Sequence, residues 1–322
     1  MRVLIWHVHG SWTTAFVRGG HEYVVPVLPD RGPDGLGRAR TYQWPDTVVE
    51  LPPDRLAGTE LDVVVVQRPR DLELAERWLG GRRPGRDLPA VWVEHDAPRG
   101  GVPYTRHPLA DRRDVLLVHV THFNELMWDS GVAPTVVVEH GVVDPGARYT
   151  GELPRAGIML NDPVRRGRLV GTDLLPAFAA AGPLDVYGMR VAELPGRLNG
   201  SGTNVVVHED WPQHRVHAEL ARRRVYVHPF RWTSLGLALL EAMHLGMPVV
   251  AVASTEAVRA VPAGAGVCST RLDELTAGVR RFLHDPQAAA EAGRAARDAA
   301  LERYGLDRFL ADWDRVLKEV TR

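Results

Sequence analysis

The chain has 322 residues, long for one domain and natural for two of about 150. Hydrophobic residues make up 45% and charged residues 25%, with a formal net charge of −1, so core material is ample and no global field draws the chain to nucleic acid or an anionic membrane. The single cysteine, Cys268, excludes a disulfide within the chain, no apolar run reaches the ~18 residues of a membrane span, and the N-terminal MRVLIWHVHG reads as a core strand rather than a signal peptide, so the expected location is cytoplasmic.

The first half alternates buried strands with helices. Residues 3–8 read as a strand, His9-Gly10-Ser11-Trp12 as a loop, and the residues to Arg18 as a short helix. A second strand spans 22–27, and the Pro-, Gly- and Arg-rich residues 28–46 read as a long loop. The continuous apolar run at 61–66 is typical of a parallel sheet covered on both faces. A helix at 71–79, a strand at 90–93 leading into Glu94-His95-Asp96, a loop at 97–113, a strand at 115–120, a helix at 123–130 and a strand at 135–138 follow.

Apolar content drops across 144–155 (DPGARYTGELPR), where the domain boundary is expected. The spacing predicts an N-terminal Rossmann-like domain over 1–147 and a second over 148–305, followed by a terminal helix at 306–322. That helix carries Phe309, Leu310, Trp313 and Leu317 at helical spacing. In the second domain strands are expected at 158–160, 184–187, 205–208 and 225–228, with helices at 172–181 and 212–222. Residues 236–246 form an almost wholly apolar helix bounded by Gly236 and Gly246. Such a helix is buried, so its Glu241 requires either a protein donor or a ligand.

Two successive parallel β/α units predict two Rossmann-like domains facing one cleft, with ligands at the carboxyl ends of the strands. Those ends carry His9, Gly10 and Ser11, then Gln67, His95 and His140, and in the second half Arg165, Arg166 and Arg168. Lys318 is the only lysine, so a phosphate site here relies on Arg or backbone amides. Three arginines in PVRRGRLVG, between a strand and a helix, suit a bidentate grip on phosphate oxygens, although a solvated basic loop is the plainer reading of each alone. Thr233-Ser234-Leu235-Gly236, running into Leu237, brings free amides to a helix N-terminus, a second anion site. Glu241, a turn and a half inside, suits the cis-diol of a ribose. A nucleotide-diphosphate sugar has the phosphates, the ribose and the sugar that these features need. His7 and His9 share a strand face, but no CxxC or HExxH completes a metal site, and Cys268 reads as a core residue.

HPFRWTSLGLALLEAMHLGMPVVA, TVVVEHGVVDP, GGHEYVV and VHVTHFNEL together resemble the retaining glycosyltransferase family 4, of GT-B fold. The resemblance spans nearly the whole chain and is strong over 225–251. It implies a hexosyl transfer from a nucleotide-diphosphate sugar to a small-molecule, glycan or lipid-linked acceptor, with retention. It also implies no metal and no cofactor beyond that co-substrate, no nucleic-acid partner and no integral membrane contact. By this resemblance Glu241 holds the nucleotide ribose, His95 contacts the donor sugar, Arg165, with Arg166 or Arg168, faces the diphosphate, and the terminal helix at 306–322 packs back onto the first domain. Thr233, Ser234, Leu235, Gly236 and Leu237 complete the donor side, and His9, Gly10, Ser11 and His140 lie on the acceptor side. Trp211 is the residue expected to flank the base. The chain departs from the family pattern where Thr233 replaces its first Glu, Val170 its phosphate-binding Lys and His140 an Asn, and where Ala253-Ser254-Thr255-Glu256 stands in place of a Gly-Gly. The rival readings are a non-catalytic nucleotide-sugar-binding protein and a sugar-nucleotide epimerase or phosphorylase on the same fold.

Overall fold

The computed structural model describes residues 1–198 and 204–322. These form two compact units, Met1–Val143 with Leu306–Arg322, and Asp144–Gly305. The division falls a few residues before the expected 147/148 for a local reason. The backbone N–H groups of Arg148 and Tyr149 both donate to Leu245 O, Thr150 N donates to Ala221 O, and Asp144 pairs with Arg297 at 2.8 Å. The connector is thus hydrogen-bonded onto the second unit.

The first unit carries β1 (Arg2–Ile5), α1 (Gly10–Phe16), β2 (Glu22–Pro26), β3 (Val48–Leu51), α2 (Pro53–Leu56), β4 (Val63–Val66), α3 (Pro69–Trp78), β5 (Ala90–Glu94), β6 (Leu116–His119), α4 (His122–Met127) and β7 (Thr135–Val137). Its strands form one parallel sheet in the order β3-β2-β1-β4-β5-β6-β7. The VVVV of β4 is wholly buried, as a central strand covered on both faces requires. The C-terminal helix Leu306–Val320 buries Phe309, Trp313, Val316 and Leu317, and Trp313 meets Phe16 and Trp12 at ring distances of 5.0 and 5.6 Å. Each such side chain contributes roughly 1.5–3 kcal/mol when fully buried, enough to hold a single amphipathic helix in place.

Two local expectations are corrected here. Gly10 and Ser11 open α1 rather than a loop: Thr13 N donates to His9 O and Thr14 Oγ1 to Gly10 O, so the first turn is already helical. Within the segment that follows the long loop, β3 is an added edge strand. Its Glu50 side chain is gripped at both oxygens by Arg31, at 2.8 and 3.0 Å.

The second unit carries β8 (Leu153–Met159), α5 (Pro163–Arg166), α6 (Leu175–Ala181), β9 (Leu184–Gly188), α7 (Leu194–Arg197), β10 (Val205–Glu209), α8 (Gln213–Leu220), β11 (Arg223–His228), α9 (Leu237–Leu245), β12 (Val249–Val252), α10 (Ala257–Ala260), β13 (Gly266–Ser269), α11 (Leu272–His284) and α12 (Pro286–Tyr304). Its parallel strands run β10-β9-β8-β11-β12-β13. Gly246, at φ 87°, ends α9 in the left-handed conformation that favours glycine. Among the described residues no helix is long and apolar enough to cross a membrane.

The six strands of the second sheet repeat the order of β3-β2-β1-β4-β5-β6 in the first, to which β7 is added, and the direction of winding reverses between β1 and β4 and between β8 and β11. In open α/β sheets ligands bind outside the carboxyl ends at that switch point. The loops at these positions are those after β1, β4 and β5 in the first unit, and after β8 and β11 in the second.

Candidate functional site

In the first unit, the His9 and His95 rings are 4.0 Å apart between centroids with their planes tilted by 37°, and Trp12 meets His95 edge to face at 5.0 Å. His95 Nε2 is 3.0 Å from Gln67 Oε1, and Gln67 Nε2 donates to Trp6 O at 2.8 Å. Burial lowers the His9 pKa to about 4. Burial also holds His95 well below the ordinary imidazole range, and the neighbouring His9 and His140 reinforce the shift. These rings are neutral at physiological pH. They can exchange hydrogen bonds with a hydroxyl group but supply no fixed positive charge. His140 is buried, and its backbone carbonyl accepts from Arg308 at 2.6 Å. The loop after His95 is pinned from inside: Glu94 accepts from Asp96 N at 2.8 Å and faces His107 Nε2 at 2.9 Å.

In the second unit the loops after β8 and β11 are laced together. Leu169 O accepts from both Arg231 N and Trp232 N, at 3.0 and 3.2 Å. Gly171 has φ +76°, and a Cβ there would lie 2.0 Å from Pro229 O, so this approach requires glycine twice over. The arginines beside these loops are ion-paired. Arg165 donates to Asp162 at 2.7 Å, Arg168 to Asp173 at 2.7 Å, and Arg231 also to Asp173 at 3.0 Å. Arg165 and Arg168 remain mostly exposed. Exposed pairs of this kind contribute about 0–1 kcal/mol, which an arriving diphosphate can offset. Arg166 ends α5 beside them.

The loop after β11 leads through half-buried Thr233 and buried Ser234 and Leu235 into α9. Gly236 is the N-cap residue of α9 and has no side chain with which to cap the first turn. Packing beneath is tight: a Cβ on Gly236 would lie 2.5 Å from His228 Cε1. Glu241, one turn further, is buried at 5% exposure. The sequence left open whether a protein donor or a ligand meets it. The structure supplies donors, His217 Nε2 to Oε2 at 3.0 Å and Gln213 Nε2 to Oε1 at 3.2 Å, both from α8. Sequence reading missed these two residues, and the run of polar groups in Gln213-His214-Arg215-Val216-His217 was the available signal. Trp211 lies under the Arg215 guanidinium at 3.6 Å and against His208 at 4.5 Å, extending the stack that begins at Tyr187. Among the described residues no group of three or more His, Cys, Asp or Glu is arranged to hold a metal ion.

Residues 198–299, holding α9 and Glu241, match the family model described as glycosyl transferases group 1. A sequence search of curated proteins finds no match. Among solved structures the chain is similar to sucrose-phosphate synthase from Thermosynechococcus elongatus, at 13% identity and TM-score 0.71 over 99% of both chains. It is also similar to HepE from Anabaena in complex with UDP and glucose, at 14% identity and TM-score 0.71 over 99% of this chain and 100% of that one. A TarM variant from S. aureus in complex with fondaparinux, α-GlcNAc-glycerol and UDP is matched at 14% identity and TM-score 0.64 over 79% of this chain, which spans only 55% of TarM. At such identities the likeness is one of fold: two parallel-sheet α/β Rossmann-like domains, as in GT-B glycosyltransferase structures, with a glycosyl transferases group 1 segment in the second.

Proposed function

We propose that the protein is a retaining glycosyltransferase that moves a sugar from a nucleotide-diphosphate donor to a small-molecule, glycan or lipid-linked acceptor without a metal ion. The observation that carries the reading is Glu241, a buried carboxylate on α9, within the glycosyl transferases group 1 segment and one turn inside a helix whose N-cap is glycine. A carboxylate there suits a ribose diol, and the amides of Leu235, Gly236 and Leu237 suit the adjoining phosphates. Arg165, with Arg166 or Arg168, stabilises the departing diphosphate, where charge develops as the glycosidic bond breaks. Ser234 and Thr233 line the approach, with Thr233 in place of the carboxylate that in the resembling family orients the donor sugar. In the first unit His95 meets the sugar and His9, Gly10, Ser11 and His140 serve the acceptor side.

The test is a thermal-shift screen with UDP, GDP, ADP and their sugars, since a ligand of the native state raises the midpoint. A shift with one base, followed by transfer to acceptor with the anomeric configuration kept, is the expected result. No shift with any of them sinks the reading. Binding without turnover on any acceptor favours the second reading, a non-catalytic nucleotide-sugar-binding protein. Two features favour that alternative: Thr233 is uncharged, and both Glu241 oxygens already accept protein hydrogen bonds.

A further inference from the structure

Trp6, Gln67 and His95 follow β1, β4 and β5, which are neighbours in the sheet, so their hydrogen bonds cross three strands along its carboxyl edge. The first acceptor in that line is a backbone carbonyl, Trp6 O, which has no proton to give. The buried Gln67 side chain must therefore turn its amide N–H toward Trp6, at 2.8 Å. Its Oε1 is left facing His95 Nε2 at 3.0 Å, and an amide oxygen only accepts. His95 must donate from Nε2. A neutral imidazole has one N–H, so Nδ1 carries the lone pair, and among the described residues none donates to it. The Gln67 backbone is itself fixed, its N–H donating to Asp71 at 3.0 Å, and the His9 ring at 4.0 Å keeps the His95 plane from turning.

We propose that Gln67 is a positioning residue that sets the His95 proton: it locks the Nε2–H tautomer, leaves Nδ1 as an acceptor, and so restricts the ligand group met there to a hydrogen-bond donor such as a hydroxyl. The substrate class that follows is a neutral sugar rather than an acidic one, because a carboxylate would meet the Nδ1 lone pair with a lone pair of its own. This selectivity rests on the reading of His95 as the sugar-facing residue, whereas the tautomer itself does not.

The experiment has two arms on the full-length protein. In the first, a long-range ¹H–¹⁵N correlation spectrum identifies the His95 ring by its loss in His95→Asn. The wild type shows a protonated, pyrrole-type Nε2 and a bare, pyridine-type Nδ1, and Gln67→Met, which cannot accept from Nε2–H, shows the two tautomers mixed. A wild-type ring protonated at Nδ1 overturns the proposal, as does an unchanged tautomer in a Gln67→Met protein whose thermal midpoint shows it folded. If that variant does not fold, the wild-type spectrum decides. In the second arm, binding of UDP-glucose and UDP-glucuronate is compared. The wild type favours glucose at least tenfold, and Gln67→Met narrows that ratio while leaving the affinity for UDP alone unchanged. Equal wild-type affinities overturn the selectivity. If neither sugar nucleotide nor UDP binds while the Nε2–H tautomer is seen, the glycosyltransferase reading fails and the positioning role of Gln67 stands.

Discussion

Glu241 Oε2 and His217 Nε2 lie 3.0 Å apart, joining α9 to α8 through two side chains each only 7% exposed. A carboxylate on a largely apolar helix is tolerated because α8 brings donors to both of its oxygens. Removing one partner of such a buried pair leaves an under-compensated charge, at about 3–5 kcal/mol where shielding is complete. His217→Ala is therefore expected to lower unfolding stability by roughly 2–4 kcal/mol, and Gln213→Ala, with the longer bond, by less. Denaturant titration measures both. A loss below about 1 kcal/mol for His217→Ala shows that Glu241 is satisfied without the imidazole.

Gly236 and Gly171 guard the two loops of the second unit for different reasons. At Gly236 the backbone is ordinary, with φ −72°, and the obstacle is the buried His228 ring, 2.5 Å from where an added Cβ would lie. At Gly171 the backbone is left-handed and the obstacle is Pro229 O, which cannot swing away. Gly236→Ala is expected to cost about 1–3 kcal/mol through overpacking, and much of that is recovered when His228→Ala is added. Gly171→Ala costs more, since strain and clash combine, and no single side-chain deletion relieves it. Chemical denaturation of the single and double variants separates these outcomes.

What the sequence disclosed and what it hid follow from range. The apolar run of β4, the glycine-bounded α9 and the Phe309–Trp313–Leu317 stripe are local patterns, and each corresponds to a buried element. The start of α1 was hidden because glycine and serine favour loops by propensity, and here a buried Trp12 against Phe16 and Trp313 overrides it. The donors to Glu241 and the line from Trp6 to His95 were hidden because they join residues far apart in the chain. The pairing of the arginines was within reach: Asp162 and Asp173 flank PVRRGRLVG closely enough to meet Arg165 and Arg168.

Those exposed pairs predict a separation between stability and binding. Arg165→Ala and Arg168→Ala each remove an ion pair that water already screens, so unfolding free energy changes by about 0.5 kcal/mol or less. If the loop receives a diphosphate, the same variants weaken binding of the nucleoside diphosphate roughly tenfold, about 1.4 kcal/mol, and leave the nucleoside unaffected. Calorimetric titration with UDP and uridine makes the comparison, with GDP and guanosine in parallel. Equal losses for diphosphate and nucleoside count against a phosphate contact.

Desolvated histidines set the acid limit of the fold. Burial lowers His9 to about 4, and His119 and His228 each to about 3, from an ordinary value of 6.5. The unfolded chain therefore binds protons between pH 6.5 and these values while the folded chain does not. Stability is fully present above pH 6.5 and falls as the pH drops through that window, by up to ~1.4 kcal/mol per pH unit for each group. Carboxylates held low by arginine, such as Asp144 beside Arg297, add to the loss only near and below their ordinary range, so the interval from pH 6.5 to 5 reports the histidines. Denaturant midpoints from pH 8 to 5 should be level to about 6.5 and then decline. His119→Phe or His228→Leu, by removing one proton-binding site from the unfolded chain, should shallow the decline by about one proton. A profile level down to pH 5 means that these rings accept protons in the folded protein and that their burial does not exclude the charge.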